Sequence, residues 1–295
     1  MRTKRNILAI TGFLIISLVL SWGGIPADEA AAGDRMATES LAIILLVDIS
    51  GSMARTDPER LRETAAGVFI DMLSPEDYLG FITFDDKIEI VIPMEQVRDY
   101  QNKRRIKEIL FPKLDPRGFT DYVGALETVF EHMQEAAPEE ARPVVVFLTD
   151  GDPNPYSGSR NNPVFMEGYL KELWDLMDRY AEERYPIYSV GFSDEIQPGI
   201  LEKISTNTRG GYHILRDSTE LLVTFFRVLG DLKNRQALME ETVPAGEGME
   251  FSFVMDPYTR QVNLILAGKD IDFSLKAPDG TGADAGRSGR WHARP

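Results

Sequence analysis

No cysteine occurs among the 295 residues, which excludes a disulfide framework, a thiolate metal site, a cysteine nucleophile and a lipidated cysteine at a processed N-terminus. Histidine is almost as scarce. The three present, His132, His213 and His292, have no motif-like neighbours; His132 falls in a helical pattern and His213 in the strand-like run Gly211 to Leu215, so all three read as packed or solvated rings. Positive charge is also short, with 32 Lys and Arg against 47 Asp and Glu. The resulting net charge of -15 opposes broad attraction to phosphate backbones or anionic headgroups, so nucleic acid is not an expected partner. What remains is ordinary globular composition, 43% hydrophobic with 24 Gly and 17 Pro, enough for one medium domain plus a remainder.

The first residues carry the pattern of a targeting segment, expected over residues 1–32. Arg2, Lys4 and Arg5 make a basic start, Ile7 to Leu20 is apolar and uncharged, and small residues at Ile25-Pro26-Ala27 or Ala30-Ala31-Ala32 could serve cleavage. The apolar stretch approaches the ~20 residues that span a bilayer, so the segment is either a cleaved signal peptide, the reading preferred, or an uncleaved N-terminal anchor. Export follows in both cases. A charged, Ala-rich spacer leads to Ser40, its last part being residues 33–40, and the folded part is expected to begin at Leu41.

From there, apolar runs and helical spacing alternate. Leu41 to Val47 and Val144 to Leu148 are continuous apolar runs, as in strands buried on both faces, and Ile187 to Phe192 and Gly211 to Leu215 add two more strands. Helices are expected after Asp57-Pro58, with Pro at the first helical position, and where Val123 to Met133, Leu170 to Ala181 and Leu221 to Leu232 present one apolar face. Leu79 to Phe84 and Ile88 to Ile92, joined by Asp85-Asp86-Lys87, predict a hairpin and thus one antiparallel edge. The fold class is therefore α/β: a doubly wound, mostly parallel sheet with one antiparallel edge strand, flanked by helices, over residues 41–235. Three short apolar runs, Phe251 to Met255, Val262 to Leu266 and Ile271 to Leu275, predict an incomplete β-sandwich-like segment over 243–280, followed by a disordered tail at 281–295. Three strands are too few to close two sheets, so a truncated or frame-altered longer chain is expected.

Two buried strands end in the residues that carry the chemistry. Asp48-Ile49-Ser50-Gly51-Ser52 follows the first, Asp150-Gly151 the second, and Thr120 precedes the helix beginning near Val123. In open α/β sheets the carboxyl ends of strands are where ligands bind, so three chain segments would converge there. Two carboxylates and three hydroxyls, with no nitrogen or sulfur, select magnesium, manganese or calcium over zinc or copper; short Ser and Thr arms suit the smaller magnesium ion. Two carboxylates just neutralise a divalent ion, leaving it electrophilic at an open position that a partner's Glu or Asp could fill.

These residues resemble a known family. Asp48-x-Ser50-x-Ser52, Thr120 and Asp150-Gly151 match, residue for residue, the metal-ion-dependent adhesion site of von Willebrand factor A domains, and the resemblance covers Leu41 to about Arg235. It implies that the hydroxyls and one or both aspartates hold the metal directly or through water, that the ligand supplies a carboxylate, and that Asp121 supports the site from behind. On the family arrangement the loop Asp152 to Pro163 would rim the metal, either setting partner choice through Tyr156 and Arg160 or serving as a solvated connection. Phe119 and Tyr122 stand equally open.

The expected function is an exported, metal-dependent protein-binding module, not an enzyme, with any membrane contact made through a terminal anchor. Two alternatives stand beside it. A magnesium-dependent phosphohydrolase needs a second acid two residues after Asp48, where Ser50 stands, and a serine hydrolase lacks both a nucleophile elbow and a base. A structural or assembly module would use the metal only to clip loops.

Overall fold

A computed structural model describes residues 12–19, 40–192, 196, 198–216, 220–233, 236–243, 261–267, 275–276 and 282–283. In chain order its elements are β1 (Gly12–Val19), β2 (Leu41–Asp48), α1 (Met53–Thr56), α2 (Leu61–Met72), β3 (Tyr78–Phe84), β4 (Ile88–Gln96), α3 (Tyr100–Leu110), α4 (Tyr122–Ala136), β5 (Arg142–Thr149), α5 (Pro163–Glu183), β6 (Ile187–Phe192), α6 (Pro198–Asn207), β7 (Tyr212–Leu215), α7 (Leu221–Leu232), β8 (Gln236–Val243), β9 (Gln261–Ala267), β10 (Leu275–Lys276) and β11 (Gly282–Ala283). The chain forms two compact units, residues 22–235 and the combination of 1–21 with 236–295.

The larger unit is built on a six-stranded sheet in the order β4-β3-β2-β5-β6-β7. All neighbours are parallel except β3 and β4, which form the expected antiparallel edge. Every residue of Leu41 to Val47 is buried, as a central strand covered on both faces requires. One layer packs α4 and α5 over β2, β3 and β5 through Leu126, Val129, Phe130, Leu173 and Met177. On α2 and α7, Phe69 and Phe225 meet edge to face at 5.6 Å. Burying each such aliphatic or aromatic side chain contributes about 1.5–3 kcal/mol, so this sheet supplies a rigid base for whatever its upper edge carries.

Some local expectations are corrected. Pro58 does not open the second helix, which begins at Leu61 after Arg60 adopts a left-handed conformation with φ 56°. Asp57 still satisfies the helix start, since its carboxylate accepts from the amides of Leu61 at 2.7 Å and Arg62 at 3.1 Å. Helix α3 was not anticipated because its inward face is only Lys103, Ile106 and Leu110. Lys103 earns its burial by donating to the carbonyls of Asp71 and Leu73, at 2.8 and 2.6 Å, where α2 ends. Helix α6, whose Leu201 and Ile204 are buried, was also missed.

The smaller unit contains a three-stranded antiparallel sheet, β8-β1-β9, and the two-residue pair β10-β11. Part of the segment expected to act in targeting thus supplies the middle strand, Gly12–Val19. Its Ile- and Phe-rich sequence suits a strand as well as an apolar helix. Strand β8 was not expected, β9 coincides with the run Val262 to Leu266, and Phe251 to Met255 lies outside the described residues. Gly282–Ala283 pairs with Leu275–Lys276 where a tail without structure was expected; the rest of that tail lies outside the described residues. Among the described residues no helix is long and apolar enough to cross a membrane.

Candidate metal centre

The site forms because β2 and β5 run side by side and stop together. Val47 pairs with Leu148, so the next residues, Asp48 and Thr149, are neighbours at the carboxyl edge of the sheet. Asp48 is fully buried. One of its oxygens accepts from the Ser50 amide at 2.7 Å and the other from the Thr149 hydroxyl at 2.6 Å. Ser50 Oγ lies 3.0 Å from Ser52 Oγ, which donates to Asp150 at 2.8 Å; the other Asp150 oxygen accepts from Thr56 of α1. Four of the five expected residues are thereby joined in one run of oxygens.

Thr120, the fifth, is buried and reaches the same edge through its backbone. Its amide donates to the Asn154 carbonyl at 2.9 Å, and the Asn154 amide returns a bond to the Thr120 carbonyl at 2.8 Å, locking the Thr120 loop to the segment that follows Asp150. On the other side the Gly51 amide donates to the Gly118 carbonyl at 3.2 Å and the Arg117 amide to the Ile49 carbonyl at 2.6 Å. Gly118 has φ 65°, and a Cβ there would fall 2.0 Å from Asp86 Oδ1, so only glycine fits. Asp85 and Asp86, read from sequence as turn residues, also brace this loop. Asp85 accepts from Arg117 Nε at 2.9 Å and Asp86 from the Phe119 amide at 3.0 Å.

The supporting residues divide by position. Asp121 caps α4 by accepting from the Gly124 amide at 3.2 Å and accepts from the Tyr169 hydroxyl at 2.8 Å, which ties the residue after Thr120 to α4 and α5. Tyr122 is buried and cannot touch a partner; its hydroxyl donates to the Gly151 carbonyl and lies 3.2 Å from Thr149 Oγ1. Phe119 is half-buried. Arg160 is exposed but turned back on its own loop, donating to the carbonyls of Pro153 at 3.2 Å and Asp152. Tyr156 is exposed. Sequence reading missed Thr149 and Thr56, both of which hold the carboxylates; the i+4 spacing of Thr56 from Ser52 on a short helix was the available signal for the second.

Electrostatics favour a cation here. Burial, then the neighbouring Asp150 charge, pushes the Asp48 carboxyl up to about 7, outweighing the bonds from Thr149 and Ser50. Burial raises Asp150 as well, against the hydroxyls of Thr56 and Ser52. Two carboxylates this close, with Asp48 met only by neutral donors, are a site in which a divalent ion would relieve both desolvation and repulsion. The donors fit such an ion: all are hard oxygens, and among the described residues no group of three or more His, Cys, Asp or Glu comes together to offer a different kind of metal site.

Residues 42–227 match the family model of the von Willebrand factor type A domain. Human inter-alpha-trypsin inhibitor heavy chain H6 is 25% identical over 176 residues, covering 57% of this chain and 12% of that protein. The chain spans less than half the length of such curated relatives. Among solved structures, a von Willebrand factor type A protein from Catenulispora acidiphila aligns with a TM-score of 0.52 at 18% identity, over 76% of this chain and 50% of that one. Proximal thread matrix protein 1 from the mussel byssus aligns with a TM-score of 0.50 at 19% identity, over 70% of this chain and 48% of that one. The metal-ion-dependent adhesion site of that mussel structure is occupied by zinc.

Proposed function

The chain belongs to the von Willebrand factor type A domain family, and from that premise we propose that it is an extracytoplasmic protein-binding module that captures a partner's carboxylate at a divalent cation. Asp48, Ser50, Ser52, Thr120 and Asp150 would hold the ion, with magnesium the preferred occupant and manganese, calcium or zinc as competitors. When bound, the ion supplies a Lewis-acidic position for an Asp or Glu oxygen of the partner.

One observation carries the reading: the run of polar groups from Asp48 through Ser50 and Ser52 to Asp150, buried or half-buried at the edge of the sheet, in which Asp48 meets neutral donors and the charge of Asp150 beside it. The chain's residues have three tasks. Thr149 and the Ser50 amide fix the Asp48 oxygens, Ser52 and Thr56 fix those of Asp150, and the Thr120–Asn154 pairing sets the third segment. Because backbone bonds already tie the three loops together, an ion is not required merely to clip them, which favours capture over the structural alternative.

Catalysis is not part of the proposal. His132 accepts from the Met94 amide at 2.9 Å on the antiparallel edge, and His213 lies in β7, so neither stands as a base beside Ser50 or Ser52. Export rests on Arg2, Lys4, Arg5 and the apolar run after them. The test is capture of partners from cell-surface extracts by the purified chain, with magnesium or with chelator. Capture lost on chelation is expected; capture indifferent to chelator, together with a lowered melting temperature, would favour the structural reading instead.

A further inference from the structure

Three buried tyrosine hydroxyls fasten α4 to its surroundings. Tyr169 of α5 donates to Asp121 at the helix start, and Tyr180 of α5 donates to the Leu126 carbonyl at 2.7 Å. Tyr122 lies on α4 itself and donates outward, to the Gly151 carbonyl beyond the end of β5. Phenylalanine would fill each of these places without burying a hydroxyl, and a buried hydroxyl costs stability unless it is bonded. The bond of Tyr180 joins helix to helix, whereas that of Tyr122 ends on the residue next to Asp150.

Tyr122 stands where the three segments of the candidate metal centre meet. It follows Thr120 by two residues, the carbonyl it holds belongs to the residue after Asp150, and its oxygen is 3.2 Å from Oγ1 of Thr149, the donor to Asp48. The ring is fixed edge to face against Phe147 of β5 at 4.9 Å and Phe84 of β3 at 6.2 Å, so the sheet sets where the hydroxyl lies. Burial pushes the phenol well above its ordinary range, which keeps it a neutral donor. Thr149 has one proton and two acceptors within reach, Asp48 at 2.6 Å and the Gly151 carbonyl at 3.2 Å. Because Tyr122 serves that carbonyl, Thr149 is left to serve Asp48.

Resting on the proposed metal centre, we infer that Tyr122 is a positioning residue for it: its hydroxyl holds the Gly151 carbonyl and so keeps the Thr149 proton on Asp48. Tyr122 acts through Thr149 and is too deeply buried to meet a partner. Without the phenol hydroxyl the buried Gly151 carbonyl loses its donor, and the replacement within reach is the Thr149 hydroxyl at 3.2 Å. The Thr149 proton is then divided between the carbonyl and Asp48. Asp48 is less firmly oriented as a result, and an ion that depends on its carboxylate binds more weakly.

Calorimetric titration of the full chain with magnesium, and melting without metal, test this in Tyr122→Phe and in Tyr180→Phe, each of which keeps its ring and loses one buried hydroxyl. Both should melt about 2–4 °C below the unsubstituted chain, the effect of one buried hydrogen bond in a domain of this size. Only Tyr122→Phe should weaken magnesium, by about fivefold, less than the tenfold or more expected of a group bonded directly to a metal ligand. In a Thr149→Val chain, adding Tyr122→Phe should lower the affinity by less than about twofold, since the hydroxyl through which it acts is already gone. Magnesium affinity unchanged in Tyr122→Phe, or reduced as much in Tyr180→Phe, would overturn the inference and leave Tyr122 a packing residue. So would a loss of about fivefold that persists in the Thr149→Val chain, or a Tyr122→Phe chain that no longer melts cooperatively. No magnesium uptake by the unsubstituted chain would instead sink the metal centre itself, and this inference with it.

Discussion

Two carboxylates of the sheet unit are equally buried and differently answered. Asp57 faces Arg62, itself fully buried, across 2.7 Å, and the same guanidinium donates to the Leu114 carbonyl at 2.7 Å. Asp48, a few residues upstream, meets the Ser50 amide and the neutral hydroxyls of Thr149 and Ser50, and its charged neighbour is another carboxylate. The chain provides the cation at one position and withholds it at the other. A buried carboxylate with a built-in partner belongs to the architecture, whereas one left with neutral donors beside a second acid is the position that the proposed cation would answer.

Exchanging the partners should expose that difference. The largest effect is expected from Asp57→Ala, which strands a buried guanidinium and should cost about 3–5 kcal/mol in urea unfolding, the same with magnesium as without. Next is Asp48→Asn. The new amide can donate to Thr149 Oγ1 while that hydroxyl turns to the Gly151 carbonyl, 3.2 Å away, so metal-free stability should change by less than about 1 kcal/mol. Magnesium affinity should fall by about 100-fold, or roughly 2.8 kcal/mol. If Asp48→Asn unfolded the domain as Asp57→Ala does, the two carboxylates would have the same role after all.

The pH dependence sharpens the contrast. In the metal-free fold the Asp48 carboxyl stands near 7, above its ordinary value of 3.8, so folding takes up a proton there. Its contribution to stability is fully present below the ordinary value and is lost as pH rises through about 7. A bound divalent ion compensates the charge, so the rise in melting temperature that magnesium produces should grow between about pH 5 and pH 8. A magnesium shift that is flat with pH would place the ion away from Asp48. The smallest effect is expected from Thr149→Val, which removes the donor behind Asp48 and should weaken magnesium about tenfold while the sheet stays folded, as read by calorimetric titration and circular dichroism.

Much of this was legible in the sequence for a physical reason. Central parallel strands are apolar throughout, so Leu41 to Val47 and Val144 to Leu148 announce both the sheet and its carboxyl edge, and Asp48, Ser50, Ser52 and Asp150 follow directly. Thr120 was readable from its place before an amphipathic helix. Contacts made only by tertiary register were not. Thr149 matters because β2 and β5 align Val47 with Leu148, and the bracing of the Asp152 to Pro163 loop depends on Asn154 meeting a residue 34 positions earlier in the chain, Thr120. Helix α3 escaped because a lysine stem fills part of its buried face, and apolar periodicity does not register an aliphatic chain ending in an ammonium. The apolar run at Gly12–Val19 carries a pattern that a leader and a strand share, and its pairing with β8 and β9 is made by tertiary register alone.

Calorimetric titration of the folded chain with magnesium, manganese, calcium and zinc at neutral pH bears most directly on the unanswered charge at Asp48. One ion per chain is predicted, with uptake abolished by Asp150→Ala in a protein that still melts cooperatively. Heat of binding absent for every one of these ions would contradict the account, as would uptake undiminished by that substitution.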